Sequence, residues 1–157
     1  MKTIHTITIR VFVKENENEE EITKTLEFMF PYDLEEEKVK LERKQATGFE
    51  ERKIIIKTIL LEKQKHITEF VRNLFERLKE NQLAFLRKQI ESRLDEELRF
   101  YIRLDKTALQ KGIYQLVDHG NCYHITLVIA AYPKNRDKAK EIVEELLMGD
   151  RNINLVN

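Results

Sequence analysis

The stretch RFYIRLDKTALQKGIYQLVDHGNCYHITLVIAAYPKNR, residues 99–136, decides how this chain folds. It opens with strict alternation. Phe100, Ile102 and Leu104 share one phase, and Arg99, Tyr101, Arg103 and Asp105 share the other. A period of two, with apolar residues on one side only, predicts a strand with one buried face. The polar run from Asp105 to Gly112 breaks the alternation and suits a turn of helix closed by glycine. Residues 113–117 resume as a strand, Asp118-His119-Gly120-Asn121 supplies a turn, and residues 122–131 form the most apolar strand of the chain. Tyr132-Pro133 stops that strand, and Lys134-Asn135-Arg136 opens a last helix. The region from Arg99 to Lys140 carries eight cations (Arg99, Arg103, Lys106, Lys111, Lys134, Arg136, Lys138, Lys140) against Asp105, Asp118 and Asp137, a surplus of five in a chain of net charge zero.

Working outward, Ile7, Ile9, Val11 and Val13 alternate with Thr6, Thr8, Arg10 and Phe12, which predicts a first strand with its aliphatic side inward. Asn18 is placed to cap a helix whose first turn holds Glu19, Glu20 and Glu21, where the helix dipole favours acids. Ile22, Leu26, Met29 and Phe30 give that helix one apolar stripe, and Pro31-Tyr32-Asp33 ends it. Between Glu17 and Glu37 nine acids face one base, Lys24, so the chain is bipolar in sequence. Val39 and Leu41 belong to a charged strand joined by Thr47-Gly48-Phe49 to a second strand over residues 52–62. That strand is expected to be central, because its apolar residues occur in both phases. Ile67, Phe70, Val71, Leu74, Phe75 and Leu78 stripe one helix; Leu83, Leu86, Ile90 and Leu94 stripe a second, with a break expected at Asn81. Ala139, Ile142, Val143, Leu146 and Leu147 line the last helix, which Gly149 is expected to end. The resulting order, β-α-β-β-α-α-β-β-β-α with short connections, predicts an α+β two-layer sandwich: a mixed or mainly antiparallel sheet with helices on one face.

With 157 residues, the chain suits one domain over residues 1–149 followed by a short tail, 150–157. Its 36% of charged residues, well above the usual quarter, predicts a surface laced with ion pairs. The single Cys122 excludes an internal disulfide and fits a reducing compartment. No signal peptide and no apolar run long enough to cross a bilayer are evident, so a soluble, cytoplasmic protein with no membrane partner is expected.

Catalytic chemistry finds little support. Ser92, the one serine, sits mid-helix without a glycine elbow. Cys122 and His124 share a strand face, a pairing more often structural than nucleophilic. His5, His66, His119 and His124 show no metal-ligand spacing, and no phosphate-cradling glycine loop occurs. Neither an enzyme, a metal nor a cofactor is expected. Nucleic-acid binding fits better, since it needs cations for phosphates and aromatic planes for bases. Arg99, Tyr101 and Arg103 supply both on one strand face. Lys106 and Lys111 follow on the helical turn, and Lys134 and Arg136 sit where a helix begins, with Tyr123 and Tyr132 as further aromatics. These seven, Arg99, Tyr101, Arg103, Lys106, Lys111, Lys134 and Arg136, are the candidate RNA-binding residues. The competing reading is an ion-paired surface, with Arg103 on Asp105 and Lys138 on Glu141 and Glu145.

The pattern YIRLDK, a glycine six residues later, a short strand, a turn and an apolar strand ending in AAYP before basic residues resembles an archaeal family. Its members are small RNA-binding proteins, also described as predicted exosome subunits. The opening strand with His5 and RVFV matches as well, so the resemblance spans nearly the whole chain. It implies a fold similar to that of the large-subunit ribosomal protein that binds 5S rRNA. It also implies a non-catalytic role in RNA processing, exosome function or ribosome biogenesis, with RNA and an RNA-processing complex as partners. The alternative is a protein–protein adaptor of such a complex that makes no RNA contact. Oligomeric state is left open by the sequence.

Overall fold

The computed structural model describes residues 2–148. Among them, β1 (Ile4–Lys14), β2 (Leu41–Thr47), β3 (Lys53–Leu61), β4 (Arg99–Asp105) and β5 (Cys122–Ile129) form one sheet. The spatial order is β2-β3-β1-β5-β4, and each neighbouring pair is antiparallel. Helices α1 (Glu19–Phe28), α2 (Gln64–Lys88), α3 (Ile90–Arg93), α4 (Lys106–Gln110) and α5 (Arg136–Leu146) complete the fold. The α+β class, the antiparallel sheet and the element order are those expected.

Alternation in sequence becomes alternation in burial. Ile7, Ile9 and Val11 of β1, Phe100, Ile102 and Leu104 of β4, and Ile125 and Leu127 of β5 are buried under Ile22 and Leu26 of α1, Phe70, Val71 and Leu74 of α2, and Ala139 and Val143 of α5. Helices therefore cover one face, and the other stays open. α1 begins as expected: the Asn18 side chain accepts a hydrogen bond from the Glu21 amide at 3.1 Å, satisfying a donor that the first helical turn leaves orphaned. α2 is interrupted at Lys79 (φ 64°, ψ 170°), two residues before the expected break.

Two details differ from expectation. The centre of the sheet is β1, not β3, and β3 is not buried on both sides: Leu60 is 47% exposed because no helix covers that face. Residues 113–117 join the sheet through a single bridge, Leu104 to Leu116, backed by backbone bonds from Asp105 N to Gln115 O and from Val117 N to Arg103 O. The buried Arg93 guanidinium braces this segment, donating to Tyr101 O at 3.1 Å and to Asp118 at 2.9 Å. Gly149, expected to end α5, and the tail 150–157 lie outside the described residues. No helix among the described residues is long and apolar enough to cross a membrane.

Candidate nucleic-acid interface

In a pleated strand, residues two apart share a face, so the phase opposite the core forms the open face of the sheet. Register then sets which side chains meet. Arg103 of β4 stands opposite His124 of β5, His124 opposite Arg10 of β1, and Arg10 opposite Thr58 of β3. The next row is Tyr101, Thr126, Thr8 and Leu60. Over β1, β5 and β4 these rows form a groove of about 540 Å³, lined by Thr8, Arg10, Phe12, Arg99, Tyr101, Arg103, His124, Thr126 and Val128.

Each member is held differently. Tyr101 donates its hydroxyl to Asp95 Oδ2 at 2.7 Å, and the Arg103 guanidinium carbon lies 5.5 Å from the Tyr101 ring centroid. Arg99 pairs with the same Asp95 at 2.9 Å. Partial burial alone would push the Asp95 carboxyl up. The hydrogen bonds from Tyr101 and Arg99 outweigh it and hold that carboxyl below its usual range. Arg10 and Arg103 form no ion pair among the described residues. Phe12 is 38% exposed and meets His124 edge to face, with centroids 6.0 Å apart. Burial, then the cations Arg103, Arg10 and Lys106, lower the His124 pKa from its ordinary 6.5.

The sequence-based candidates divide. Arg99, Tyr101 and Arg103 line the groove. Lys106 does not: it is 2% exposed, and its ammonium donates to Phe12 O at 2.6 Å and to Glu17 at 3.1 Å. Arg136 binds Glu91 at 2.8 Å and the carbonyls of Glu91 and Leu94 at 2.9 Å, stitching α5 to α3. Lys134 pairs with Glu97 at 2.7 Å, and Lys111 is exposed at the end of α4; neither reaches the groove. Tyr123 is buried in the core and Tyr132 stands in solvent. Arg103 does not pair with Asp105, whereas Lys138 lies 4.0 Å from Glu141.

Sequence reasoning missed Arg10, Phe12, Thr8 and His124 as members of this site. One signal was present: an aromatic, Phe12, in the polar phase of β1, where no core would take it.

Cys122 Sγ lies 3.6 Å from His124 Nε2. Burial pushes the thiol pKa up and the imidazole pKa down, which favours the uncharged pair over a thiolate–imidazolium. Among the described residues, no three His, Cys, Asp or Glu side chains gather to hold a metal.

Comparison with known proteins follows the same line. An RNA-binding protein of Pyrococcus abyssi is 26% identical over 146 residues, covering 93% of this chain and 95% of that protein. An uncharacterized protein of Methanocaldococcus jannaschii is 25% identical over 148 residues, covering 89% of this chain and 95% of its own. A solved structure from Methanothermobacter thermautotrophicus superposes with a TM-score of 0.76 at 26% identity, covering 94% of this chain and all of its own. The family described as RNA binding matches residues 6–131, the span from β1 through the end of β5 that builds the groove, and the chain belongs to that RNA-binding family, shared with archaeal relatives.

Proposed function

We propose that this chain is a non-catalytic RNA-binding protein that holds RNA on the open face of its sheet. The observation that carries the reading is the groove in which Arg10 and Arg103, free of carboxylate partners, flank His124, with Phe12 and Tyr101 next to them. Unpaired guanidinium groups are available to phosphates, and the rings beside them offer planes for bases. Membership of an RNA-binding family and the name of the Pyrococcus relative support it. Arg10, Arg99, Tyr101 and Arg103 form the binding set, with Lys111 and Lys134 as outlying phosphate contacts; the buried Lys106 and the carbonyl-bound Arg136 drop out. The finer expectations belong to the same proposal: a fold like that of the 5S-rRNA-binding ribosomal protein, and a cytoplasmic accessory role in RNA processing, exosome function or ribosome biogenesis.

The test is fluorescence anisotropy with a labelled RNA hairpin carrying a single-stranded tail, titrated over a range of salt. Each phosphate contact with a single strand contributes about −0.7 to the slope of log K against log salt. Arg10→Ala and Arg103→Ala should each flatten the slope by about 0.7. Lys24→Ala, on the far side of the chain's charge pattern, should leave it unchanged. If the wild-type protein fails to retain this RNA at low salt, the adaptor reading replaces the RNA reading. One feature of α1 favours that second reading: the Phe28 ring is 47% exposed, with the Arg77 guanidinium carbon 5.2 Å from its centroid, an apolar patch that suits a protein partner.

A further inference from the structure

Within the reading of the open sheet face as an RNA site, we propose that the groove takes unpaired nucleotides, a single strand or an open loop, and not duplex RNA. The inference rests on what lies between the cations. A duplex hides its base faces and offers phosphates and 2′-hydroxyls, so a surface built for it needs many cations and gains nothing from aromatic rings. This groove has the opposite composition. Two arginines without carboxylate partners, Arg10 and Arg103, sit in a molecule of zero net charge, with the His124 ring between them and the rings of Phe12 and Tyr101 beside them.

Phe12 is not a core residue turned outward by accident of packing. Its neighbours in the same strand phase, Thr8 and Arg10, are polar, and the core side of β1 is filled by Ile7, Ile9, Val11 and Val13. Tyr101 is oriented before any ligand arrives, because Asp95 holds its hydroxyl and Arg103 lies across its ring. A ring held in place loses little freedom when a base stacks on it. In the same cross-strand row as Tyr101, Thr126 and Thr8 face each other across β5 and β1, and their hydroxyls can donate to or accept from exposed base edges. Duplex RNA buries the Watson–Crick edges in pairing. Base–aromatic stacking is tolerant of sequence, so the groove would select unpaired over paired RNA more strongly than one base over another.

The experiment compares two labelled probes at one low salt concentration: an oligouridylate and a blunt, fully paired RNA duplex of the same length. The single strand should bind at least about ten-fold tighter. Phe12→Leu keeps an apolar side chain at an exposed position but removes the plane, and should weaken oligouridylate binding roughly 5- to 150-fold, the range for loss of one stacked base. Tyr101→Leu is the second variant and should act in the same direction; thermal melts confirm that both fold. Equal affinity for the two probes, or Phe12→Leu and Tyr101→Leu proteins that bind oligouridylate like wild type, would overturn the proposal. If the duplex binds equally well and Arg103→Ala weakens it, the RNA reading stands and the preference for unpaired RNA falls. If neither probe is retained, both fall together.

Discussion

Lys106 follows β4 by one residue, and along the chain it continues the row of cations begun by Arg99 and Arg103. Folded, it turns the other way and spends its charge on Glu17 and the Phe12 carbonyl. Removing one partner of a buried ion pair leaves the other uncompensated, at a cost of about 3–5 kcal/mol. Glu17 retains 19% side-chain exposure and can recover some hydration, so Lys106→Ala should cost about 3 kcal/mol, at the lower end of that range. Chemical denaturation measures this cost, and the salt slope of RNA binding should not change, because no phosphate contact is lost. His124 makes a prediction of opposite kind. Burial and the cations Arg103, Arg10 and Lys106 lower its folded pKa below 6.5. As the pH falls through 6.5, the unfolded chain takes up this proton before the folded one does, so the contribution of His124 to stability is present above that pH and is lost below it. Thermal midpoints at pH 7.5 and pH 5.5 should therefore differ more for wild type than for His124→Gln. Equal differences in the two proteins would show that His124 does not titrate in this window.

At the scale of elements, β4 is the strand on which fold and site meet. It is an edge strand whose one strand neighbour among the described residues is β5, and single bridges tie it to Leu94 and Leu116. Its inner phase packs into the core, and its outer phase supplies Arg99, Tyr101 and Arg103. Ile102 lies opposite Ile125 and is fully buried. Cutting it back to alanine leaves a cavity, for which buried Ile→Ala changes cost about 2–5 kcal/mol. Ile102→Ala should lower stability by about that amount in urea unfolding; an unmoved midpoint would mean that the core does not depend on this strand's inner face. α1 is anchored by charge as well as by its apolar stripe. Glu19 binds Arg43 of β2 at 2.7 Å and Lys57 of β3 at 2.8 Å, and these hydrogen-bonded cations hold its carboxyl pKa down to about 2. The Lys57 ammonium is thereby compensated where the chain buries it.

Across the whole molecule, the acidic and basic halves of the sequence do not become acidic and basic halves of a surface. Acids of the N-terminal segment bind partners from distant elements: Glu17 takes Lys106, Glu19 takes Arg43 and Lys57, and Glu37 takes Lys65 and the His66 ring. Cations of the 99–140 block are likewise met by Asp95, Glu91 and Glu97. Within the groove, what remains for a ligand is Arg10 and Arg103, which have no carboxylate partner among the described residues. The α+β class, the one-sided burial of β1 and β4, the Asn18 cap and the phase of Arg99, Tyr101 and Arg103 were all determined by the sequence, since periodicity and capping act within a few residues. The break between the helical stripes was legible to within two residues. The central place of β1, the exposure of Leu60 and the joining of Arg10, Phe12 and His124 to the β4 residues were decided only by tertiary structure. So was the division of the cations into bound and free. Strand order and cross-strand register join residues about a hundred positions apart, as with Arg10 and His124. Whether a charge is free depends on which carboxylate the fold brings within reach, a distance that no spacing along the chain encodes.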